Sequence, residues 1–460
     1  MLELLEQQKS LTANQWKIFI ASVLAGMLDF FDFYLIAFVL AFFVQDWHLT
    51  YGQSALILFS SGVAAIPGGI VCGWLGDRWG RRSVLIVMIL MLSLATGAMA
   101  LTPEGGWLYL TVMRFIVGFG VVGVAAVDVP LLQEFVPAGK RGLISGLSTG
   151  LVPGGGLLAA ALSAALGAVL PWRYLFLFGL IPALMALLIR FWVPESPRWL
   201  IARGRVEEAR RSVAWALQVD PATIALPDVE PMPQKSSWIE LFRYPRSLIV
   251  SILTGLSQTG TIGLQMWQVT LIVLVMKVTP AYASFLVIWI TLLGIFGRAF
   301  GSWITDAIGR RPAGILCCVL AAIAMSAAGY LHDVMLGTVS IFYVLLLVTN
   351  FFTNGNSAIV YPYMAEMWPL PIRASGFGFV YGWSNLGKFI GPAGLAVIIG
   401  ASNYVTPKAT LDQLVNGFNY FAAWYVLAFL AYLLSGIETR GSTIEELDAR
   451  FARSKPEAAE

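Results

Sequence analysis

Long apolar runs separated by short polar loops dominate the chain. Runs of about 20 residues, the length at which a helix crosses a hydrocarbon core, fall near 17–43, 53–74, 83–101, 107–130, 142–168, 172–193, 248–275, 282–304, 312–331, 336–361, 374–400 and 413–436. They predict an all-α membrane protein with twelve transmembrane helices. The one long hydrophilic stretch, 194–247, carries the helical pattern RVEEARRSVAWAL, then Asp220-Pro221 and a Pro-rich segment through Pro233. It divides the chain into a six-helix bundle over 1–193, a linker with an amphipathic helix over 194–247, a second six-helix bundle over 248–436 and a helix with a tail over 437–460. The last helix is signalled by Ser442 and Glu445, a capping-box spacing.

The two halves repeat. GWLGDRWGRR (Gly73 to Arg82) follows the second span, and SWITDAIGRR (Ser302 to Arg311) follows the second span of the other half. Glu134 and Arg141 stand after span four as Glu366 and Arg373 stand after span ten. This is a parallel internal duplication, and its substrate site is expected between the halves.

Composition agrees with a membrane as solvent: 58% of residues are hydrophobic and 12% charged, with a mean hydropathy of +0.77. Arg173, Lys277 and Lys408 are the few cations in loops of one side, while the other side collects Arg78, Arg81 and Arg82, Lys140 and Arg141, and Arg310 and Arg311. By the positive-inside rule both termini are cytoplasmic, in a plasma or bacterial inner membrane. The start of the chain has no cleavable signal pattern, so the first helix directs insertion. Cys72, Cys317 and Cys318 lack metal or disulfide spacing and read as packing residues. Basic runs interleaved with aromatics are missing, which excludes nucleic acid. His48 and His332 fall in outer loops, and no nucleophile-base or metal constellation accompanies them, so no enzyme, cofactor or metal is expected.

GWLGDRWGRR resembles the loop motif that marks the major facilitator superfamily. VPESPRWL (Val193 to Leu200) resembles the PESPR motif of sugar porters and related organic-acid symporters, and IETRG (Ile437 to Gly441) their PETKG motif, with Ile437 in place of proline. The resemblance implies a transporter and covers both halves. It also implies that Asp77, Arg81, Glu134, Arg141, Asp306, Arg310, Glu366 and Arg373 form a cytoplasmic gate, whose charges hold the inner ends of the halves together in one state and separate in the other.

Asp29 and Asp32 lie in the first span, and an intramembrane carboxylate is either functional or part of a structural ion pair. GMLDFFDFY resembles the D-G-x-D pattern of the aromatic acid:proton symporter family, with Phe30 in place of glycine. The expected partner is Arg114 in RFIVGFG. Asp32 lies 15 residues beyond Lys17, about 22 Å from the inner face, and Arg114 seven residues inside Trp107, about 10 Å from the outer one. In a core about 30 Å thick these depths nearly coincide. Pairing and separation of Asp and Arg⁺ would release and take up a proton.

Lys388, in YGWSNLGKFIGP, reads as the only cation deep in a C-terminal span and is expected to bind a substrate carboxylate or, alternatively, to snorkel or pair. The G-x-x-x-x-G-K spacing of Gly382 to Lys388 is accidental as a phosphate loop, because Phe389 replaces the Ser or Thr and no strand precedes it. Gln258, Gln265 and Gln268 in span seven, and Asn350, Asn354 and Asn356 in span ten, are either ligand contacts or interhelical glue. Gln265 and Gln268 resemble in position the substrate-holding residues of sugar porters. Tyr34, Tyr361, Tyr381 and Trp383 are further candidates for the cavity wall. Gly142, Gly146, Gly150 and Gly154 form a packing stripe. The chain reads as a monomeric proton-coupled symporter for a small organic anion, aromatic or other monocarboxylate. The alternatives are a sugar or polyol symporter of the same fold, and a membrane sensor that does not transport.

Overall fold

The protein is described by a computed structural model covering residues 4–5, 8, 10–137, 144, 150–224, 238–368 and 373–438. Helices lie over the predicted apolar runs. They are α1 (Ala13–Phe43), α2 (Tyr51–Trp79), α3 (Arg81–Ala98), α4 (Trp107–Phe135), α5 (Gly154–Leu166), α6 (Trp172–Leu175) and α7 (Ile181–Trp192). Two short helices follow, α8 (Pro197–Ala202) and α9 (Val206–Leu217). Then come α10 (Pro245–Gly255), α11 (Ser257–Met276), α12 (Pro280–Ile308), α13 (Arg310–Tyr330), α14 (Ile341–Glu366), α15 (Arg373–Ser384), α16 (Gly387–Ile399) and α17 (Pro407–Ser435). Among the described residues seven helical segments are long and apolar enough to cross a membrane. Large apolar side chains stand outward on them, among them Leu94, Phe191, Phe296, Trp303, Ile323 and Leu434. Water would penalise such a surface, and lipid does not.

Several predicted runs are interrupted, the sixth by a tighter helical segment over Phe176–Leu180 between α6 and α7. The seventh is split between α10 and α11 at Leu256, where Thr259 N–H bonds back to the Leu256 carbonyl at 2.9 Å. The eleventh is split between α15 and α16 at Asn385 and Leu386, where Lys388 N–H bonds to the Asn385 carbonyl at 3.0 Å. Tighter turns of this kind inside a helix frequently accompany a functional bend. A two-residue hairpin joins α13 to α14, pairing Met335 with Ser340 and Leu336 with Val339. The Pro-rich part of the linker, the predicted helix from Ser442, and Gly142 and Gly146 lie outside the described residues.

The chain condenses into two compact units, Met1–Val39 with Ser60–Met232, and Leu40–Phe59 with Pro233–Glu460. In the first, α3 packs against α4 and α7 around Leu85, Met88, Leu92, Val124 and Ile189. The linker pattern RVEEARRSVAWAL folds as α9, whose apolar face joins the same core through Val213, Ala214 and Ala216. Its last carbonyls hold the start of α1: Thr12 Oγ1 donates to Ala216 O at 2.5 Å and Asn14 Nδ2 to Trp215 O at 2.7 Å. In the second unit α12 and α13 both pack on α14, and α11 packs on α16 and α17. Tyr51 N–H donates to Asn403 O and Gly52 N–H to Ala401 O, each at 2.9 Å, so the start of α2 is tied to the segment before α17.

Candidate functional site

In the first unit α1, α2, α3, α4 and the turn before α7 bring polar groups together inside an apolar bundle. Arg114 is fully buried, with Nη1 donating to the Asp32 carbonyl at 3.0 Å and Nη2 to the Phe33 carbonyl at 3.0 Å and Ser61 Oγ at 2.9 Å. Its guanidinium also lies 5.7 Å from the centre of the Phe33 ring. The expected neighbourhood of Asp32 and Arg114 is therefore present, but the bonds run to two main-chain oxygens and the Ser61 hydroxyl and not to the carboxylate. Asp32 is 1% exposed, and neither of its carboxylate oxygens has a hydrogen-bond partner. Arg114 Nε and Thr96 Oγ1 are likewise buried without one. An unused donor and an unused acceptor thus face the same region. Asp29 is buried as well, and Tyr34 packs against Phe30 and Phe33.

Asp128 is a buried acid that the sequence reading passed over. Ser22 Oγ donates to its Oδ2 at 2.6 Å, joining α4 to α1. Asp128 lies in an apolar run as Asp29 and Asp32 do, and that was the available signal.

The second unit holds the predicted amides. Gln258 accepts from Ser357 Oγ at 3.1 Å, while its buried Nε2 has no hydrogen-bond partner. Gln268 is buried and Gln265 half-buried on α11. Asn356 is committed to packing: it donates to Ser257 Oγ at 2.9 Å and accepts from Cys318 Sγ at 3.4 Å. Tyr361 and Tyr381 have ring centres 5.7 Å apart, and Tyr381 and Trp383 are both exposed. Lys388 is half-buried in the first turn of α16.

Lys388 is not the only deep cation of this half. Arg298 lies in α12, and its Nε donates to Asn354 Oδ1 at 3.2 Å. The sequence reading left Arg298 out of its candidates, although it lies within the run 282–304. The helix runs on to Ile308, which places Arg298 about 15 Å inside it at 1.5 Å per residue.

Four of the charged motif residues form ion pairs within the two units. Arg81 pairs with Glu134 in the first unit, and Arg310 Nε lies 2.5 Å from Glu366 Oε2 in the second. Each pair thus joins the loop after the unit's second run to the end of its fourth. Asp306 is exposed, the side chains of Asp77 and Arg373 are outside the described residues, and so is Arg141 as a whole. The partners that the sequence reading missed are Glu195 of VPESPRWL and Glu438 of IETRG. Glu195 Oε1 accepts the Arg82 N–H at 3.0 Å. Glu438 accepts the Arg310 and Arg311 N–H groups, each at 3.0 Å. Both carboxylates therefore sit at helix N-termini, where the backbone leaves donors unsatisfied. The glycine before each helix has positive φ, +98° at Gly80 and +100° at Gly309, which admits the carboxylate where a Cβ would collide with it. Ser196 of the same motif caps α8 and donates to Glu134.

Comparison with known proteins places this geometry in context. The profile of the family described as "Sugar (and other) transporter" matches residues 17–451. The niacin transporter NiaP of Acinetobacter baylyi is 30% identical over 444 residues, 92% of this chain and 94% of that protein. A probable 4-methylmuconolactone transporter of Cupriavidus pinatubonensis is 29% identical, spanning 97% of this chain and 96% of that one. Among solved structures, the inward-open xylose transporter XylE from E. coli superposes with a TM-score of 0.71 at 20% identity, over 95% of this chain and 99% of that one.

Proposed function

Because the chain belongs to the sugar (and other) transporter family, within the major facilitator superfamily, we propose that it is a proton-coupled symporter taking up a small organic anion by alternating access. The proposal includes twelve spans in two six-helix bundles, over 1–193 and 248–436, with both termini cytoplasmic, and a functional monomer. The motif charges Asp77, Arg81, Glu134, Arg141, Asp306, Arg310, Glu366 and Arg373 serve as the cytoplasmic gate in this reading.

The observation that carries the coupling is Asp32. No hydrogen bond reaches that carboxylate in this arrangement, whereas a bound proton makes the group neutral. Arg114 stands beside it, anchored on the Asp32 and Phe33 carbonyls, with Nε uncommitted. A rotation of α1 against α4 that brings Nε onto the carboxylate would stabilise the charged form and release the proton. The opposite rotation would restore the proton-holding form. Asp29, one turn nearer the start of α1, extends the same acidic surface.

Lys388, a half-buried cation in the first turn of α16, supports an anionic cargo, since its ammonium can pair with a substrate carboxylate. The names of two relatives, for niacin and 4-methylmuconolactone, support organic acids. Gln258, Gln265, Gln268, Asn354, Tyr34, Tyr361, Tyr381 and Trp383 complete the proposed binding surface. A second reading, a sugar or polyol symporter, is favoured by VPESPRWL and by the likeness to a xylose transporter; Lys388 counts against it.

Uptake into proteoliposomes tests the coupling. An imposed inward proton gradient should drive accumulation by the wild type. Asp32→Asn should abolish that accumulation while substrate counterflow persists, because only the protonatable group is lost. Undiminished accumulation by Asp32→Asn would refute the assignment.

A further inference from the structure

Thr96, on α3, is fully buried, and its hydroxyl has no hydrogen-bond partner. A threonine inside an apolar helix ordinarily returns its hydroxyl to the carbonyl one turn back. Thr111 does so to Trp107 O and Thr291 to Val287 O, each at 2.9 Å, and Thr254 to Val250 O at 2.7 Å. Thr96 does not, and a buried hydroxyl left uncommitted costs free energy unless another state of the protein uses it.

Beside it lies the Asp32 carboxylate, both of whose oxygens are also buried without a hydrogen bond. Gly179, in the tighter helical segment over Phe176–Leu180, touches both residues. A Cβ on Gly179 would stand 2.1 Å from Thr96 Cγ2 and 2.9 Å from Asp32 Oδ1. The two side chains therefore border the same small space, which stays open because residue 179 has no side chain. A hydroxyl suits a neighbour that changes charge, because it donates to a carboxylate and accepts from a carboxylic acid. The other groups around Asp32 are few. Arg114 on α4 is the charged one, and Asp29 is the nearest acid on the same helix. Among the described residues α2 presents Ser61 and the turn before α7 presents Gly179, while α5 meets α1 through Gly154 and Gly155 at Met27 and Phe31.

We propose that Thr96 is a further residue of the proton site: its hydroxyl donates to Asp32 when the carboxylate is charged, accepts from it when it holds a proton, and so helps set the pH at which the site loads and empties. This rests on the proton-coupling reading of Asp32 above and deepens it. Thr96 acts through Asp32 and is a positioning residue.

Infrared difference spectroscopy of the full-length protein in lipid, titrated with pH and without substrate, tests this. It reads the carboxylic C=O stretch of protonated Asp32, identified as the band that Asp32→Asn lacks. Thr96→Val is close to threonine in shape and removes only the hydroxyl, whereas Thr96→Ser keeps it. A hydrogen bond to a charged group is the stronger one, so its loss should move the midpoint of that band upward by about one pH unit in Thr96→Val. Thr96→Ala should move it the same way and covers the case in which valine disturbs the packing. Thr96→Ser should keep the wild-type midpoint. A merely structural role would leave the titration unmoved in all three. A midpoint that Thr96→Val and Thr96→Ala leave in place or lower, or that Thr96→Ser raises as far as they do, overturns the inference while the coupling by Asp32 stands. If no band distinguishes the wild type from Asp32→Asn, or no pH abolishes it, Asp32 does not exchange a proton, and the coupling reading falls together with this one.

Discussion

Gly309→Ala changes one hydrogen to a methyl group at the point where the second unit's charged end is fastened. Gly309 has φ +100° and ψ 163°, a region that residues with a side chain almost never occupy, and the strain there is worth about 1–3 kcal/mol. The added Cβ would also fall 2.6 Å from Glu438 Oε2 and 2.8 Å from its Cδ, so the carboxylate must move. Moving it forfeits two acceptors for the Arg310 and Arg311 N–H groups, a capping loss of about 0.5–2 kcal/mol. The substitution should therefore destabilise the protein by about 1.5–5 kcal/mol, the sum of these ranges. Glu438→Ala alone should cost only the capping part. In the double variant the cap can be lost only once, so the two costs should fall short of additivity by about 0.5–2 kcal/mol. Reversible unfolding in mixed micelles, followed by tryptophan fluorescence, measures all three. A Gly309→Ala variant within about 0.5 kcal/mol of wild type, or single costs that simply add, would refute the reasoning. Gly80 and Glu195 repeat the arrangement in the first unit, where one N–H is bonded, and Gly80→Ala should act in the same direction.

Lys388→Gln should weaken a monocarboxylate by about 30-fold or more, since it leaves one member of a charge pair buried alone; competition binding reads this, and a neutral analogue of the same shape should be unaffected. Glu366→Gln breaks the pair with Arg310, but both side chains are about a quarter exposed. Its stability cost, measured by the same unfolding assay, should therefore stay below about 1 kcal/mol. Asp128→Ala removes the acceptor of the Ser22 hydroxyl and should cost about 1–3 kcal/mol, whereas Asp128→Asn keeps a carbonyl there and should cost less. Equal costs for the two Asp128 variants would show that the hydrogen bond between α4 and α1 contributes nothing.

The spacing of apolar runs was enough to place the helices, because in lipid a spanning segment must satisfy its own backbone and be apolar on every side. That requirement is local and is written into each run of sequence. Intramembrane charges such as Asp32, Arg114 and Lys388 were legible for the same reason: an ionised group stands out against an apolar background. Their partners were not. Depth along a helix predicted that Arg114 lies near Asp32, but whether a guanidinium bonds a carboxylate or the carbonyls beside it depends on helix rotation, which sequence spacing leaves open. Arg298 was passed over because its place within an apolar run says nothing of the Asn354 amide it meets on another helix. Glu195 and Glu438 show the same limit from the other side. Each was visible inside a motif, yet each acts on a helix more than a hundred residues away in the chain. Only the folded bundle, by bringing a carboxylate to a glycine with positive φ and a row of unsatisfied N–H groups, decides what those residues do.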